Sequence, residues 1–181
     1  MPDRKMHLLG HVCTGPTAHH SGAWRHPESD VHEILGPERY ERVAQLYEAG
    51  LFDGVFIVDY QAIPRFRPDE LCRTLRLGGQ LSMLEPLLVL ATMARATKHL
   101  GLAATMSTTL NPPYAIARAF ATLDHLSGGR AGWNIVTSAQ DAEARNYGLD
   151  ALPAKDLRYD MADQVVEACL ALWDTWDADA L

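Results

Sequence analysis

Apolar runs and helically spaced apolar positions take turns along this chain. Residues 54–58 (Gly-Val-Phe-Ile-Val) are apolar throughout and end on Asp59, the pattern of a strand buried on both faces of a parallel sheet. Residues 7–13, 100–105 and 131–136 read as three further strands. Between the strands the period changes. Residues 38–49 put Tyr40, Val43, Ala44 and Tyr47 on one helical face and stop at Gly50. Pro86 opens a second helix that runs to about Lys98, where Lys98 and His99 suit the negative end of the helix dipole. Asn111 is expected to cap a third helix, with Pro112 and Pro113 in its first turn and Gly128-Gly129 at its end. Its buried stripe is Ile116, Ala117, Phe120 and Leu123. Residues 159–176 then carry Ala162, Val165, Val166, Cys169, Leu172, Trp173 and Trp176 on one face, an amphipathic helix.

Two stretches lack this order. Residues 60–84 hold Pro64, Pro68 and Gly78-Gly79 with mixed charge, and read as a long excursion, the kind of loop that lines a binding site. Residues 138–156 read as a polar connection. Strands alternating with helices predict a parallel sheet covered by helices, either an open doubly wound sheet or part of a barrel. Neither G-x-G-x-x-G nor G-x-x-x-x-G-K-[ST] is present, which favours the barrel.

Composition narrows the function classes. Sixteen basic and 23 acidic residues give a formal net charge of -7, the wrong sign for a nucleic-acid or anionic-lipid partner. No apolar stretch approaches the roughly 18 residues of a membrane span, and the N-terminus lacks an apolar leader. A cytoplasmic protein of one domain, 1–181, is expected. Cys13, Cys72 and Cys169 are odd in number and widely spaced, so reduced thiols are expected rather than disulfides. The His19-His20 pair has no carboxylate-histidine spacing to complete a metal site.

Candidate chemistry gathers at strand ends. The second strand stops at Asp59, the third at Thr105 with Ser107 and Thr108 beyond it, and the fourth carries Asn134 and stops before Thr137-Ser138. Parallel α/β sheets build their ligand sites at this end. Asn134 lies inside an apolar strand, where an amide needs a partner to offset its burial. Each group also has a plainer use: Asp59 as a loop cap, the hydroxyls as satisfiers of local backbone, Tyr159 as a core ring at a helix start, and Asp124 and His125 as ties at a helix end.

Longer strings are more specific. His19-His20-Ser21-Gly22-Ala23-Trp24-Arg25-His26-Pro27, Leu84-Glu85-Pro86-Leu87, Thr122-Leu123-Asp124-His125-Leu126-Ser127-Gly128-Gly129-Arg130, Gly132-Trp133-Asn134-Ile135-Val136-Thr137-Ser138 and Ala144-Arg145-Asn146-Tyr147-Gly148-Leu149 occur in order, followed by Arg158-Tyr159. Together they resemble the nitrilotriacetate monooxygenase component A group of the bacterial luciferase-like flavin monooxygenases, which includes dibenzothiophene-sulfone and long-chain alkane monooxygenases. The resemblance runs from His7 to Leu181.

It implies a TIM (β/α)8-type barrel, of which this chain supplies the N-terminal half, about four βα units, since the whole fold takes roughly 250 residues. It further implies reduced FMN as co-substrate, delivered by a separate NAD(P)H-dependent flavin reductase, with O2 and a small organic molecule as the other reactants, and a homo-oligomer. Carried over to this sequence, Asp59 contacts the ring edge or ribityl chain, Thr105 and Asn134 bond the polar edge of the ring, and Tyr159 holds the phosphate end. Relatives often carry His four residues before that tyrosine, where this chain has Lys155, which still neutralises phosphate as a point charge. Cys13 and His20 (or His19) are candidates on the substrate side, while a strand cysteine is as readily a small hydrophobe. Tyr60, Ile63, Phe66 and Gln80 are expected to line that side too. Two other readings stand beside this one: a truncated, non-catalytic fragment or interaction subunit that associates through its incomplete barrel, and a deazaflavin in place of FMN, against which the Trp-Asn-Ile-Val-Thr-Ser run argues.

Overall fold

The computed structural model describes residues 5–17, 20, 22–63, 70–79, 81–175 and 177. Four strands, β1 (Leu9–Val12), β2 (Gly54–Ile57), β3 (Gly101–Ser107) and β4 (Ala131–Val136), form one sheet in the order β1-β2-β3-β4. All three neighbouring pairs are parallel. The helices are α1 (Pro37–Ala49), α2 (Glu70–Leu77), α3 (Pro86–Ala96), α4 (Pro113–Ser127), α5 (Asp141–Asn146) and α6 (Lys155–Trp173). Strands and helices alternate, so every parallel pair is joined through helical chain, as parallel strands require.

Local chemistry sets the helix ends. Prolines open α1, α3 and α4, where a missing N–H costs nothing. The Glu85 side chain accepts from the Leu88 amide to cap α3. Helix α4 stops at Gly128, whose φ of 71° suits glycine, and the amides of Gly128 and Gly129 return to the carbonyls of His125 and Asp124.

The strands sort their side chains by parity. Val12, Val55, Ile57, Leu102 and Ala104 join Tyr40 and Ala44 of α1, Leu90 and Met93 of α3, and Ile116, Phe120 and Leu123 of α4 in one buried cluster. Trp133 extends it, its ring 5.6 Å from that of Phe120. The alternate positions form the opposite face. There His11, Phe56, Ala103 and Gly132 are aligned across the sheet, with Thr105 and Asn134 one layer further along. His11, Phe56, Ala103, Gly132 and Asn134 are half-buried.

Several expectations are corrected here. Residues 60–84 are not all loop: α2 lies within them, an eight-residue helix too short for its period to stand out beside two prolines. The connection 138–156 contains α5, which opens with a capping box between Gln140 and Glu143. Asn111 does not cap α4. Pro112 holds that position, and Asn111 donates from Nδ2 to the Ser107 carbonyl at 2.9 Å. Helix α3 ends at Ala96, so Lys98 and His99 do not serve its dipole; their amides, with that of Leu100, donate to the Glu48 carboxylate. Helix α6 begins at Lys155, a turn earlier than its apolar stripe suggests. Asp124 does tie a helix end to neighbouring backbone, accepting from the Ala131 amide at 3.2 Å.

The outer edge of β4 is bare among the described residues. Ile135 is 47% exposed, and Leu170 and Trp173 of α6 are 51% and 38% exposed. With Phe120, Trp133 and Val166 they line an open hollow of about 580 Å³.

Candidate functional site

The C-terminal tips of β3 and β4 are joined by side-chain hydroxyls. Thr108 Oγ1 donates to the Val136 carbonyl at 3.3 Å and Thr109 Oγ1 to the Thr137 carbonyl at 2.9 Å. Ser138 Oγ donates to Ser107 Oγ at 2.8 Å. One layer before this stitch, Thr105 and Asn134 are partners in the strand register. Asn134 Nδ2 lies 2.9 Å from Thr105 Oγ1, and Thr105 Oγ1 lies 2.7 Å from the Ile57 carbonyl. The amide therefore has the partner its place in the strand requires, and the chain of bonds crosses three strands.

The turn after β4 is held in an uncommon shape. Ser138 has φ of 60°, in the left-handed region that a non-glycine residue rarely occupies. Beyond it the Glu143 carboxylate, 8% exposed, accepts from the amides of Ala139 and Gln140 at 3.0 and 3.1 Å. Ser138 is among the polar residues the sequence places at the end of the fourth strand, whereas Glu143 does not stand out there except through the Gln140-x-x-Glu143 spacing.

Around this turn opens a cleft of about 820 Å³. Asp59 and Tyr60 form one wall, residues 135–140 and Glu143 another, and Tyr159, Ala162 and Asp163 of α6 a third. Burial pushes the Asp59 carboxyl from its usual 3.8 up to about 6; hydrogen bonds from Gln61 and Ser82 oppose the rise, and the nearby carboxylates of Glu85 and Glu143 add to it. Burial, with Asp59 alongside, also raises the Tyr147 phenol. The segment 81–84, whose Ser82 hydrogen-bonds Asp59, is fixed from the turn just after β1. Buried Thr14 accepts at Oγ1 from the Met83 amide at 3.2 Å and donates to the Leu84 carbonyl at the same distance. Gly15 permits the contact, since a Cβ there would lie 1.6 Å from the Leu81 carbonyl oxygen.

Lys155 is the first residue of α6 and is exposed. Tyr159, one turn on, is 56% exposed and lines the cleft. Between them Arg158 donates from Nη1 to the Pro153 carbonyl at 2.6 Å, and its enclosed Nε has no acceptor among the described residues. Asp59 and Tyr159 thus share one cleft and Lys155 sits a turn from Tyr159, while Thr105 and Asn134, paired with each other across β3 and β4, are not among the residues that line it.

Cys13 and His20 are not brought to this cleft. Cys13 is half-buried, its Sγ 3.8 Å from the Thr17 carbonyl, in a separate hollow with His11, Arg39 and Tyr47 beside β1. His20 is exposed. His19, Phe66, Gln80 and Trp176 lie outside the described residues. Tyr60 lines the cleft and Ile63 is half-buried. Among the described residues no group of three or more His, Cys, Asp and Glu could hold a metal ion, and no helix is long and apolar enough to cross a membrane.

Comparison with known proteins gives a family context. The model of the luciferase-like monooxygenase family matches residues 16–180. Dibenzothiophene-sulfone monooxygenase from Rhodococcus erythropolis (strain XP) is 49% identical over 179 residues, which is 98% of this chain and 39% of that protein. The crystal structure of a long-chain alkane monooxygenase superposes with a TM-score of 0.91 at 36% identity, over 98% of this chain and 41% of that one. A riboflavin lyase crystallised with modified FMN and riboflavin superposes with a TM-score of 0.86 at 34% identity, over 98% and 40%. The chain therefore spans about two fifths of the length of the proteins it matches, and its four strand-helix units correspond to part of a TIM-type barrel.

Proposed function

Because this chain belongs to the luciferase-like monooxygenase family, we propose that it forms the flavin-holding part of an FMN-dependent monooxygenase. In this reading reduced FMN arrives from a separate NAD(P)H-dependent flavin reductase, and O2 is used to oxygenate a small organic substrate. The observation that carries it is the cleft that Asp59 and Tyr159 line together at the C-terminal end of a sheet whose strands β3 and β4 hold the Thr105–Asn134 pair.

The residues present suit the cofactor. Ala103 and Gly132 are neighbours in the register, and a Cβ at Gly132 would lie 3.1 Å from that of Ala103. They make a low apolar floor for a planar ring, with Phe56 in the same layer. Asn134 and Asp59 supply polar contacts at the rim of that floor. At the other end Lys155 and Arg158, whose Nε has no acceptor among the described residues, stand in the first turn of α6 with Tyr159 just beyond it, where a helix N-terminus favours an anion such as phosphate. When bound, reduced FMN supplies the electrons that activate O2. The chain's own work is to bind and orient the ring and keep water from its face. Asp59, protonated below about pH 6, donates a hydrogen bond there and accepts one above.

Flavin titration of the purified chain tests this reading. Quenching of FMN fluorescence is expected on binding, with affinity falling roughly tenfold in Asp59→Ala and in Asn134→Ala. Unchanged affinity in both variants removes the site.

A second reading, association through the open sheet, draws on the exposure of Ile135 (47%) and Leu9 (62%) on the two outer strands.

A further inference from the structure

We propose that Thr14, which does not itself line the cleft, is a positioning residue for Asp59: it clamps residues 82–84 so that the Ser82 hydroxyl donates to the Asp59 carboxylate. The assignment deepens the reading above, in which Asp59 meets the ligand, and rests on it for its consequence.

Thr14 is fully buried, and a threonine hydroxyl has one proton and two lone pairs. All three are committed to one segment. Oγ1 donates to the Leu84 carbonyl at 3.2 Å and accepts from the amides of Met83 and Leu84 at 3.2 and 3.4 Å. Ser82, the next residue back, accepts at Oγ from the Tyr60 amide at 2.9 Å. An amide N–H can only donate, so the single proton of the Ser82 hydroxyl is left for the Asp59 carboxylate, to which Ser82 is hydrogen-bonded. The bonds thus run from the turn after β1, through the residues before α3, to the end of β2.

The charges around the cleft give that bond its importance. Glu85 at the start of α3, Glu143 of α5 and the Tyr147 phenol just beyond α5 surround Asp59. Asp163 and Glu167 of α6 line the same cleft, and none of the described residues lining it is cationic. Ionised Asp59 is therefore stabilised by the neutral donors Ser82 and Gln61 rather than by a counter-charge. Without the Ser82 proton the carboxyl holds its own proton to higher pH. Thr14, through Ser82, thereby sets the pH at which Asp59 changes from donating a hydrogen bond to the ligand to accepting one.

Titration of the ligand-free chain tests this, read by carbon NMR of the aspartate carboxyls with Asp59→Asn identifying the signal. Wild type titrates at about 6. Ser82→Ala is expected to titrate about one pH unit higher, as the loss of a hydrogen bond to a charged group requires, and Thr14→Val to do the same. Thr14→Ser, which keeps the hydroxyl, is expected to return to the wild-type midpoint. The double variant Thr14→Val with Ser82→Ala is expected to match Ser82→Ala, because the two residues act in series. A merely structural role for Thr14 would lower stability and leave the titration alone. An unmoved midpoint in Ser82→Ala or in Thr14→Val overturns the assignment, as does a double variant in which the two shifts add. If Thr14→Val does not fold, the wild-type Met83 amide decides. Held by Thr14, it is expected to exchange with solvent at least roughly tenfold more slowly than an open-loop amide, and free exchange overturns the clamp. FMN titration is scored separately: failure of wild type to bind FMN removes the FMN reading and the consequence for the ligand, while the clamp stands or falls on the midpoints.

Discussion

Ser138 reaches from the end of β4 to Ser107 at the end of β3, hydroxyl to hydroxyl at 2.8 Å, and does so from a backbone φ of 60°. The left-handed conformation costs a non-glycine residue about 1–2 kcal/mol, and the bond returns a similar amount. Ser138→Gly should therefore leave stability nearly unchanged, since relief of strain offsets the lost hydroxyl. Ser138→Val should lose about 2 kcal/mol or more, because a β-branched residue is poorly tolerated at that φ. Urea unfolding of the two variants checks the ordering.

Arg130 binds the end of one helix to the end of another. Its Nε donates to the Ser127 carbonyl, Nη1 to Thr97 Oγ1 and the Leu100 carbonyl, and Nη2 to the carbonyls of Ala94 and Thr97. The carbonyls of Ala94, Thr97 and Ser127 close α3 and α4 and that of Leu100 leads into β3, and all lose this partner if the guanidinium goes. Arg130→Ala should cost about 3 kcal/mol, and Arg130→Lys should recover only part, since an ammonium lacks the planar fork. Chemical denaturation reads both.

Asp59 gives a pH signature with a definite sign. Its carboxyl titrates near 6 in the folded chain against 3.8 ordinarily, so between those values the folded chain holds a proton that the unfolded chain has released. This group's contribution to stability falls as pH rises from about 4 to about 6, and is constant above. Asp59→Asn removes the dependence. The melting temperature of the variant minus that of wild type should grow across this window and level off above about pH 7. Parallel melting curves would contradict the burial argument.

The bare edge of β4 predicts association. Ile135 lines both the cleft and the adjoining hollow and is 47% exposed, and an unpaired apolar strand edge invites pairing. The chain should sediment as more than a monomer, and Ile135→Lys should shift it toward the monomer. A monomeric wild type that binds FMN would count against the association reading.

How much of this was legible beforehand varies with the kind of evidence. Four strands and the helices α1, α3, α4 and α6 follow from period and punctuation, because Pro86, Pro113 and Gly128-Gly129 act locally. Helix α2 was hidden by its length, and α5 by a connection too polar to show a stripe. Asn111 looked like a cap because spacing says nothing of the Ser107 carbonyl four residues back, which claims its side chain. At the site, Asp59, Thr105 and Asn134 are visible as polar residues at strand ends. The pairing of Thr105 with Asn134 depends on register, and the left-handed Ser138 and the twofold use of Glu143 depend on tertiary geometry, none of which one sequence displays.

A crystal structure of this chain grown with FMN bears most directly on the central claim. The account predicts the ring over Ala103 and Gly132, its imide edge against Asn134 and its phosphate at the start of α6 by Lys155 and Tyr159. Flavin density instead in the hollow between Trp133 and Trp173, or at the β1 hollow by Cys13, would contradict it.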